Sequence, residues 1–173
     1  DYNGSETFSV SVSDGELSDS QSITVTVNAI NDAPIANADS ITIIEDATAT
    51  LINVLSNDTD IDGDTLTLSS ASSDIGSVSI VNSQIQYTPA ENDNGTATVS
   101  YTITDGTQSA SGILTVTITS VNDTPVANPD TATILEDAAP TSINVIANDT
   151  DVDSDPLAIS TASASTGSVS VSG

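Results

Sequence analysis

The feature that most constrains this chain is that it reads the same way twice, at a shift of 91 positions. Asn57-Asp58-Thr59-Asp60-Ile61-Asp62-Gly63-Asp64 returns as Asn148-Asp149-Thr150-Asp151-Val152-Asp153-Ser154-Asp155 (149 − 58 = 91). Phe8, Val10 and Val12, followed past Asp14-Gly15 by Ile23, Val25 and Val27, return as Val99, Tyr101 and Ile103, followed past Asp105-Gly106 by Leu114, Val116 and Ile118. No gap is needed. A period this long means that one structural module recurs, so the fold must close within a single period.

Within a period, apolar residues alternate with Thr and Ser, as in strands with one buried face. Asp39 to Ile44, Ile52 with Val54, Leu66 with Leu68, Val78 with Ile80, Ile85 with Tyr87, Val99 with Tyr101 and Ile103, and Leu114 with Val116 and Ile118 make seven short strands. Gly76, Asn82-Ser83 and Asp105-Gly106 punctuate them as turns. No window carries a helical period of useful length, and aromatic residues make up only 2%, so any core is aliphatic and thin. The sequence therefore predicts an all-β fold of tandem seven-stranded antiparallel Greek-key β-sandwiches. In this frame residues 1–31 are the last two strands of a preceding repeat, 32–122 a complete repeat, and 123–173 the first strands of a following one. Asp32-Ala33-Pro34 and Asp123-Thr124-Pro125 read as short connectors stiffened by proline.

The formal charge is −25, with no lysine, arginine or histidine. Phosphate would be repelled, which excludes nucleic acid as a partner. So large a charge keeps a chain soluble but strains its compact form until salt or bound cations relieve it. Without His or Cys there is neither a zinc ligand set of the usual kind nor a Ser-His or Cys-His nucleophile. The missing cysteine leaves the compartment open. No apolar run approaches membrane-spanning length. Paired carboxylates serve glycosidases, but here they lie in recurring loops without the aromatic platforms of a sugar cleft. The expectation is a protein that is not an enzyme and has no small-molecule substrate.

Four carboxylates at every second residue repel one another unless a cation sits among them, and this chain has none to offer. Calcium, a hard ion that takes many oxygen ligands, is the natural candidate. The bland alternative is a solvated acidic loop, which two copies in register make less attractive. An EF-hand-like loop is a second alternative, since Asp58-x-Asp60-x-Asp62-Gly63 matches its first half. However, Ser69 stands where a bidentate glutamate belongs, and Ser154 replaces the glycine in the second copy.

If seven strands alternate up and down, the loop bearing Asp58, Asp60, Asp62 and Asp64 lies at the top, beside Asn31, Asp32 and Asp105. Glu45, Asp46, Glu91 and Asp93 then lie at the bottom, beside the leaving linker Asn122-Asp123. The bottom of one unit and the top of the next are expected to share a ring made of Glu45, Asp46, Asp93, Asn122, Asp123, Asp149, Asp151 and Asp153. Asp155 closes the second loop. Such a ring suffices for about two or three calcium ions.

The Asn-Asp-Xaa-Pro linkers, the Glu45-Asp46 and Glu136-Asp137 pairs and the aspartate loops resemble the cadherin-like tandem repeats of giant bacterial surface adhesins, of the kind exported with repeats-in-toxin tails. The resemblance covers essentially the whole chain. It implies cadherin- or immunoglobulin-like extender modules, Ca2+ held at the junctions, and neighbouring repeats of the same long chain as partners. It also implies a bacterial cell-surface or extracellular location and a mechanical role in adhesion. The linker lacks the fuller acidic run of animal cadherins. The rival reading is a carbohydrate- or surface-binding module, or a self-associating filament module. The absence of an aromatic cluster on either face favours the spacer.

Overall fold

The computed structural model describes residues 2–172. The chain divides into two units, Asp1–Ser120 and Val121–Gly173.

The first unit begins with a hairpin, β1 (Gly4–Ser13) and β2 (Ser18–Val27), that among the described residues forms a two-stranded sheet of its own. Seven strands follow: β3 (Asp39–Ile44), β4 (Thr50–Ile52), β5 (Thr67–Ser73), β6 (Ser77–Val81), β7 (Gln84–Thr88), β8 (Gly95–Thr104) and β9 (Ser109–Thr119). They form a four-stranded sheet in the order β3-β9-β8-β5 and a three-stranded sheet in the order β4-β7-β6. The result is an all-β sandwich. Its core is set by the alternation. Ala97, Val99, Tyr101 and Ile103 of β8 are buried, as are Leu114, Val116 and Ile118 of β9 and Ile85 and Tyr87 of β7. These share one core with Ile52 and Val54, and Leu66 and Val78 pack against it. Each such aliphatic side chain contributes about 1.5–3 kcal/mol when fully withdrawn from water.

Two local features differ from the sequence reading. β3 pairs with β9 in parallel, Asp39 opposite Leu114 through Ile44 opposite Thr119, and not antiparallel like the other pairs. The reason is parity: the first and seventh of seven alternating strands run the same way, so pairing them is necessarily parallel. Val54, expected to continue the strand from Ile52, instead opens a 3₁₀ turn over Val54–Asn57. Asn53 caps it, its side chain accepting the Leu55 N–H at 3.3 Å, and Val54 stays fully buried. The turn lifts the chain out of the sheet and delivers it to the aspartate loop.

Gly112 sits where a Cβ would overlap the Tyr101 ring. The Tyr101 hydroxyl donates to Asp39 Oδ2 at 2.8 Å and lies 2.9 Å from the carbonyl of Asn37.

In the second unit residues 130–135, the counterpart of β3 at a shift of 91 (39 + 91 = 130), form no strand. β3 draws its pairing from β9, whose counterpart would begin at position 200 (109 + 91 = 200), beyond the 173 residues. What the second unit keeps is an isolated bridge, Val126 to Thr150, the counterpart of Ile35 to Thr59 in the first. Among the described residues no helix is long and apolar enough to cross a membrane.

Candidate metal centre

The aspartate loop of the first unit is held in shape by its own backbone. Asp60 Oδ1 accepts the N–H groups of Asp62 at 2.8 Å and Asp64 at 3.3 Å, a side-chain turn that folds the loop back on itself. Gly63, with φ at 79°, supplies the left-handed residue that this reversal needs. Asp62 then uses its own Oδ2 to accept the N–H of Asp32 at 2.7 Å. Asp58 Oδ1 accepts the N–H of Asn37 at 2.7 Å. Asn37 reaches the Asn57 carbonyl at 2.7 Å, and Asn57 reaches that of Ala38 at 3.2 Å. The loop is thus stapled to the segment that enters the sandwich.

The carboxylates of the loop also lie close together. One oxygen from each of Asp60, Asp62 and Asp64 lies within 4.8 Å of the others. The second oxygens of Asp58 and Asp60 are out of solvent and have no hydrogen-bond partner. A buried, unsatisfied charged acceptor costs about 1–3 kcal/mol or more, so these oxygens fit a cation. Burial pushes the Asp58 carboxyl above its ordinary value, against the pull of the Asn37 N–H, and the charge of Asp39 adds to the rise.

Asn31 and Asp105 stand at the same end. The Asn31 side-chain amide donates to Asp105 Oδ2 at 2.9 Å, and Gln108 Nε2 donates to the Asn31 carbonyl at 2.6 Å. Asp105 Oδ1 also accepts the N–H groups of Thr107 and Gln108 at 2.6 and 2.7 Å. The Asn31 amide and these N–H groups hold the Asp105 carboxyl below its ordinary value. The structure therefore brings Asn31, Asp32, Asp58, Asp60, Asp62, Asp64 and Asp105 to one end of the sandwich.

Glu45, Asp46 and Asp93 lie elsewhere in the first unit. Glu45 follows β3 and is buried, its N–H donating to the Thr119 carbonyl at 2.9 Å. Asn94 Nδ2 lies 3.5 Å from Glu45 Oε2. Asp46, in a left-handed conformation, accepts the Asn92 N–H at 3.0 Å. Asp93 closes the adjoining turn, its N–H donating to the Ala90 carbonyl at 3.3 Å.

The second unit rebuilds the loop almost bond for bond. Asp151 Oδ1 accepts from Asp153 and Asp155 at 3.0 and 3.2 Å, Asp153 Oδ2 from Asp123 at 2.7 Å, and Asp149 Oδ1 from Asn128 at 2.7 Å. Asn122 Nδ2 donates to the Asp123 carbonyl at 2.9 Å, as Asn31 does to that of Asp32. The loop forms here without the strands of a full sandwich, so its shape is local.

Sequence reasoning missed Asn37 and Asn57, which fasten the loop. Their signal was present: both recur in register, as Asn128 and Asn148.

A two-sheet sandwich with such loops is an immunoglobulin-like module. Residues 31–119 and 122–173 match the family described as Bacterial Ig domain, and the chain belongs to that family. No curated protein matches it. Among solved structures, it is similar to an endo-fucoidan hydrolase, MfFcnA4, from glycoside hydrolase family 107. The identity is 22% over 69% of this chain and 19% of that one, with a TM-score of 0.39. A second endo-fucoidan hydrolase of that family, MfFcnA9, is 15% identical over 67% of this chain and 22% of that one, with a TM-score of 0.33. This chain therefore spans about a fifth of the length of the solved structures it matches.

Proposed function

We propose that this chain is a calcium-stiffened extender segment of a secreted or cell-surface bacterial adhesin, of the cadherin-like, repeats-in-toxin-exported kind. Its task is to space a distant functional domain from the cell. Residues 1–31 are the last two strands of one repeat, 32–122 a complete repeat and 123–173 the opening of the next. Calcium is bound where repeats join. Membership of the bacterial Ig-domain family and the 91-residue recurrence support the stalk reading. The observation that carries the calcium reading is Asp60. Its Oδ2 is buried and unpartnered among neighbouring carboxylates, in a chain with no cationic side chain.

Asp60, Asp62 and Asp64, with Asp58 and Asp32 beside them, would hold the ion of the first unit, and Asp151, Asp153 and Asp155 would do so in the second. Asn31, Asp105, Glu45, Asp46, Asp93, Asn122, Asp123 and Asp149 complete the expected ligand set. The bound ion would replace repulsion between carboxylates with charge-assisted oxygen contacts and fix the linker.

The test is calorimetric titration with calcium, joined to thermal melts in calcium and in chelator. At about a thousandfold above the dissociation constant, one site adds roughly 4 kcal/mol. A melting temperature unmoved by chelation, with no heat of binding, would sink the reading. Magnesium is expected to substitute poorly, because it demands a small octahedral shell. Small-angle scattering checks the stiffening: calcium should narrow the distribution of interatomic distances.

A further inference from the structure

Four strands form the edges of the two sheets in the complete sandwich, and three of them are blunted. β4 is three residues long and leaves its sheet in the 3₁₀ turn. β5 carries a bulge between Leu68 and Ser70. β3 is bracketed by Asp39 at its start and by the buried Glu45 just past its end. Short strands, bulges and inward-pointing charges are the devices that keep a sheet edge from pairing with another chain. β6 has none of them. Its five residues, Ser77–Val81, pair with β7 without a break, and no Asp or Glu occurs from residue 75 through residue 90.

The turn after β6 decides which of its backbone groups are left over. Asn82 and Ser83 have φ at 50° and 59° and form the two-residue loop of a tight hairpin. Such a loop is closed by a hydrogen-bonded pair, here Val81 with Gln84, and hydrogen-bonded pairs alternate along the ladder. Ser79 with Gln86 and Ser77 with Thr88 are therefore the others, and the N–H and C=O groups of Val78 and Ile80 face away from β7. Among the described residues those groups make no backbone hydrogen bond outside the sheet. Ile80, opposite the buried Ile85, is still 37% exposed.

We propose that β6 of one copy of this chain pairs antiparallel with β6 of a second copy, about a two-fold axis at Ser79. The occupant follows from parity and charge. With Ser79 opposite Ser79, Val78 of each copy stands opposite Ile80 of the other, and each of these pairs exchanges two hydrogen bonds. Every left-over N–H and C=O of Val78 and Ile80 is then used. The faces also match, since both residues lie on the same side of the sheet as the buried Ile85 and Tyr87. An uncharged strand is where two chains of −25 can meet without opposing carboxylates. The pattern returns at a shift of 91 as Ser168-Val169-Ser170-Val171 (77 + 91 = 168). On the stalk reading above, each repeat thus carries the same edge, and two stalks align repeat against repeat. One such contact is weak, and repetition along a chain multiplies its effect. The pairing itself does not rest on calcium.

Sedimentation velocity on the whole chain tests it, at rising concentration, in calcium and separately in chelator. Residues 168–172 form no strand, so each copy offers one formed edge of this kind. The expected result is a shift from 17.4 kDa toward twice that mass and no further, favoured by added salt because two acidic chains otherwise repel. Hydrogen exchange at the Val78 and Ile80 amides should slow as the pair forms, while that of Ser79, already in the ladder with β7, changes little. Ser79 is exposed, so a charge there leaves the sandwich folded, which a melt checks. Ser79→Asp sets like charges opposite each other on the axis, with Cα atoms about 4.5 Å apart, and should hold the chain at monomer mass. Ser79→Lys should do the same, whereas an equimolar mixture of the two variants should pair. A chain that stays at 17.4 kDa at every concentration overturns the proposal, as does a dimer that Ser79→Asp leaves intact or a mixture that never pairs. Loss of calcium binding with the dimer retained would overturn only the calcium reading.

Discussion

Asp62 accepts the backbone N–H of Asp32 through Oδ2 at 2.7 Å, and the bond recurs between Asp153 and Asp123 at 2.7 Å. One carboxylate thus has two tasks, because Asp62 also belongs to the Asp60-Asp62-Asp64 cluster. Asp64 belongs to the cluster without a linker N–H to hold. Asp62→Ala should therefore weaken calcium binding and also release the Asp32 amide to faster hydrogen exchange. Asp64→Ala should weaken binding while the Asp32 amide stays protected. Titration calorimetry with exchange measured at Asp32 separates the two. Equal protection in both variants would mean that the Asp32 bond does not set the linker.

The Tyr101 hydroxyl joins the core to this loop. It donates to Asp39 Oδ2 at 2.8 Å beside the Asn37 carbonyl, and the Asn37 N–H is held by Asp58. Tyr101→Phe leaves the ring in place but strips the half-buried Asp39 carboxylate of a donor. A hydrogen bond to a charged group contributes about 1.5–3 kcal/mol, so a loss of that size is expected in denaturant unfolding. Calcium affinity should fall as well, since Asn37 and Asp58 lose their anchor. A variant as stable as the wild type would show that the hydroxyl is incidental.

Alkaline titration follows from the same residue. Burial above all, then the hydrogen bond to Asp39 and its charge, raises the Tyr101 phenol above its ordinary value of 10.0. Burial likewise raises Tyr87. A folded value above the unfolded one means that the neutral form is favoured by folding. The contribution is fully present below about 10 and lost as pH rises through the folded value. The tyrosine contribution to thermal stability should therefore decline only above pH about 10, and tyrosinate absorbance for these two rings should appear together with unfolding. Early ionisation of both rings in a chain still folded would contradict their burial.

At Gly112 a Cβ would overlap the Tyr101 ring, and no flexible side-chain end is there to yield. Gly112→Ala should destabilise by about 1–3 kcal/mol, the usual cost of overpacking a tight core. Pairing it with Tyr101→Leu should recover part of the loss, because the ring is what the methyl strikes. A double variant no better than the sum of the singles would place the strain elsewhere.

The strands of the first unit were legible because one face of each is buried, and period-2 alternation is the imprint of that burial. β3 and β7 lie where the alternation puts them. The partners of β3 were less legible, because alternation says which face is buried and nothing of the direction in which a neighbour runs. Val54 is apolar for the same reason in a strand or in a 3₁₀ turn, so only the Asn53 cap marked the change. Residues 130–135 carry a strand's pattern and form none, because a ladder needs a second strand. The aspartate loop was the most legible element. The bonds that Asp60 and Asp151 accept within it join residues two and four apart, so the same letters fold the same way in both units. A buried phenol needs a partner for its hydroxyl, and at Tyr101 that need is the sequence's pointer to a polar neighbour, which the structure shows to be Asp39.

The two loops differ at one informative position. Gly63 has φ at 79°, and Ser154, its counterpart, is held at 64°. A Cβ built on Gly63 meets nothing within 4 Å, so no collision separates the two residues and only backbone preference does. A left-handed conformation costs a residue with a Cβ roughly 1–2 kcal/mol. Gly63→Ser should therefore weaken the first loop by about 1 kcal/mol, less the smaller conformational entropy that serine loses on folding. Gly63→Asn should cost less, since asparagine tolerates this region. The reciprocal change, Ser154→Gly, should tighten the second loop. Calcium titration of the three variants orders them, with Gly63→Ser the weaker binder in the first unit and Ser154→Gly the stronger in the second. If Gly63→Ser binds as the wild type does, the bound ion tolerates the strained loop, and the glycine reflects nothing about the site.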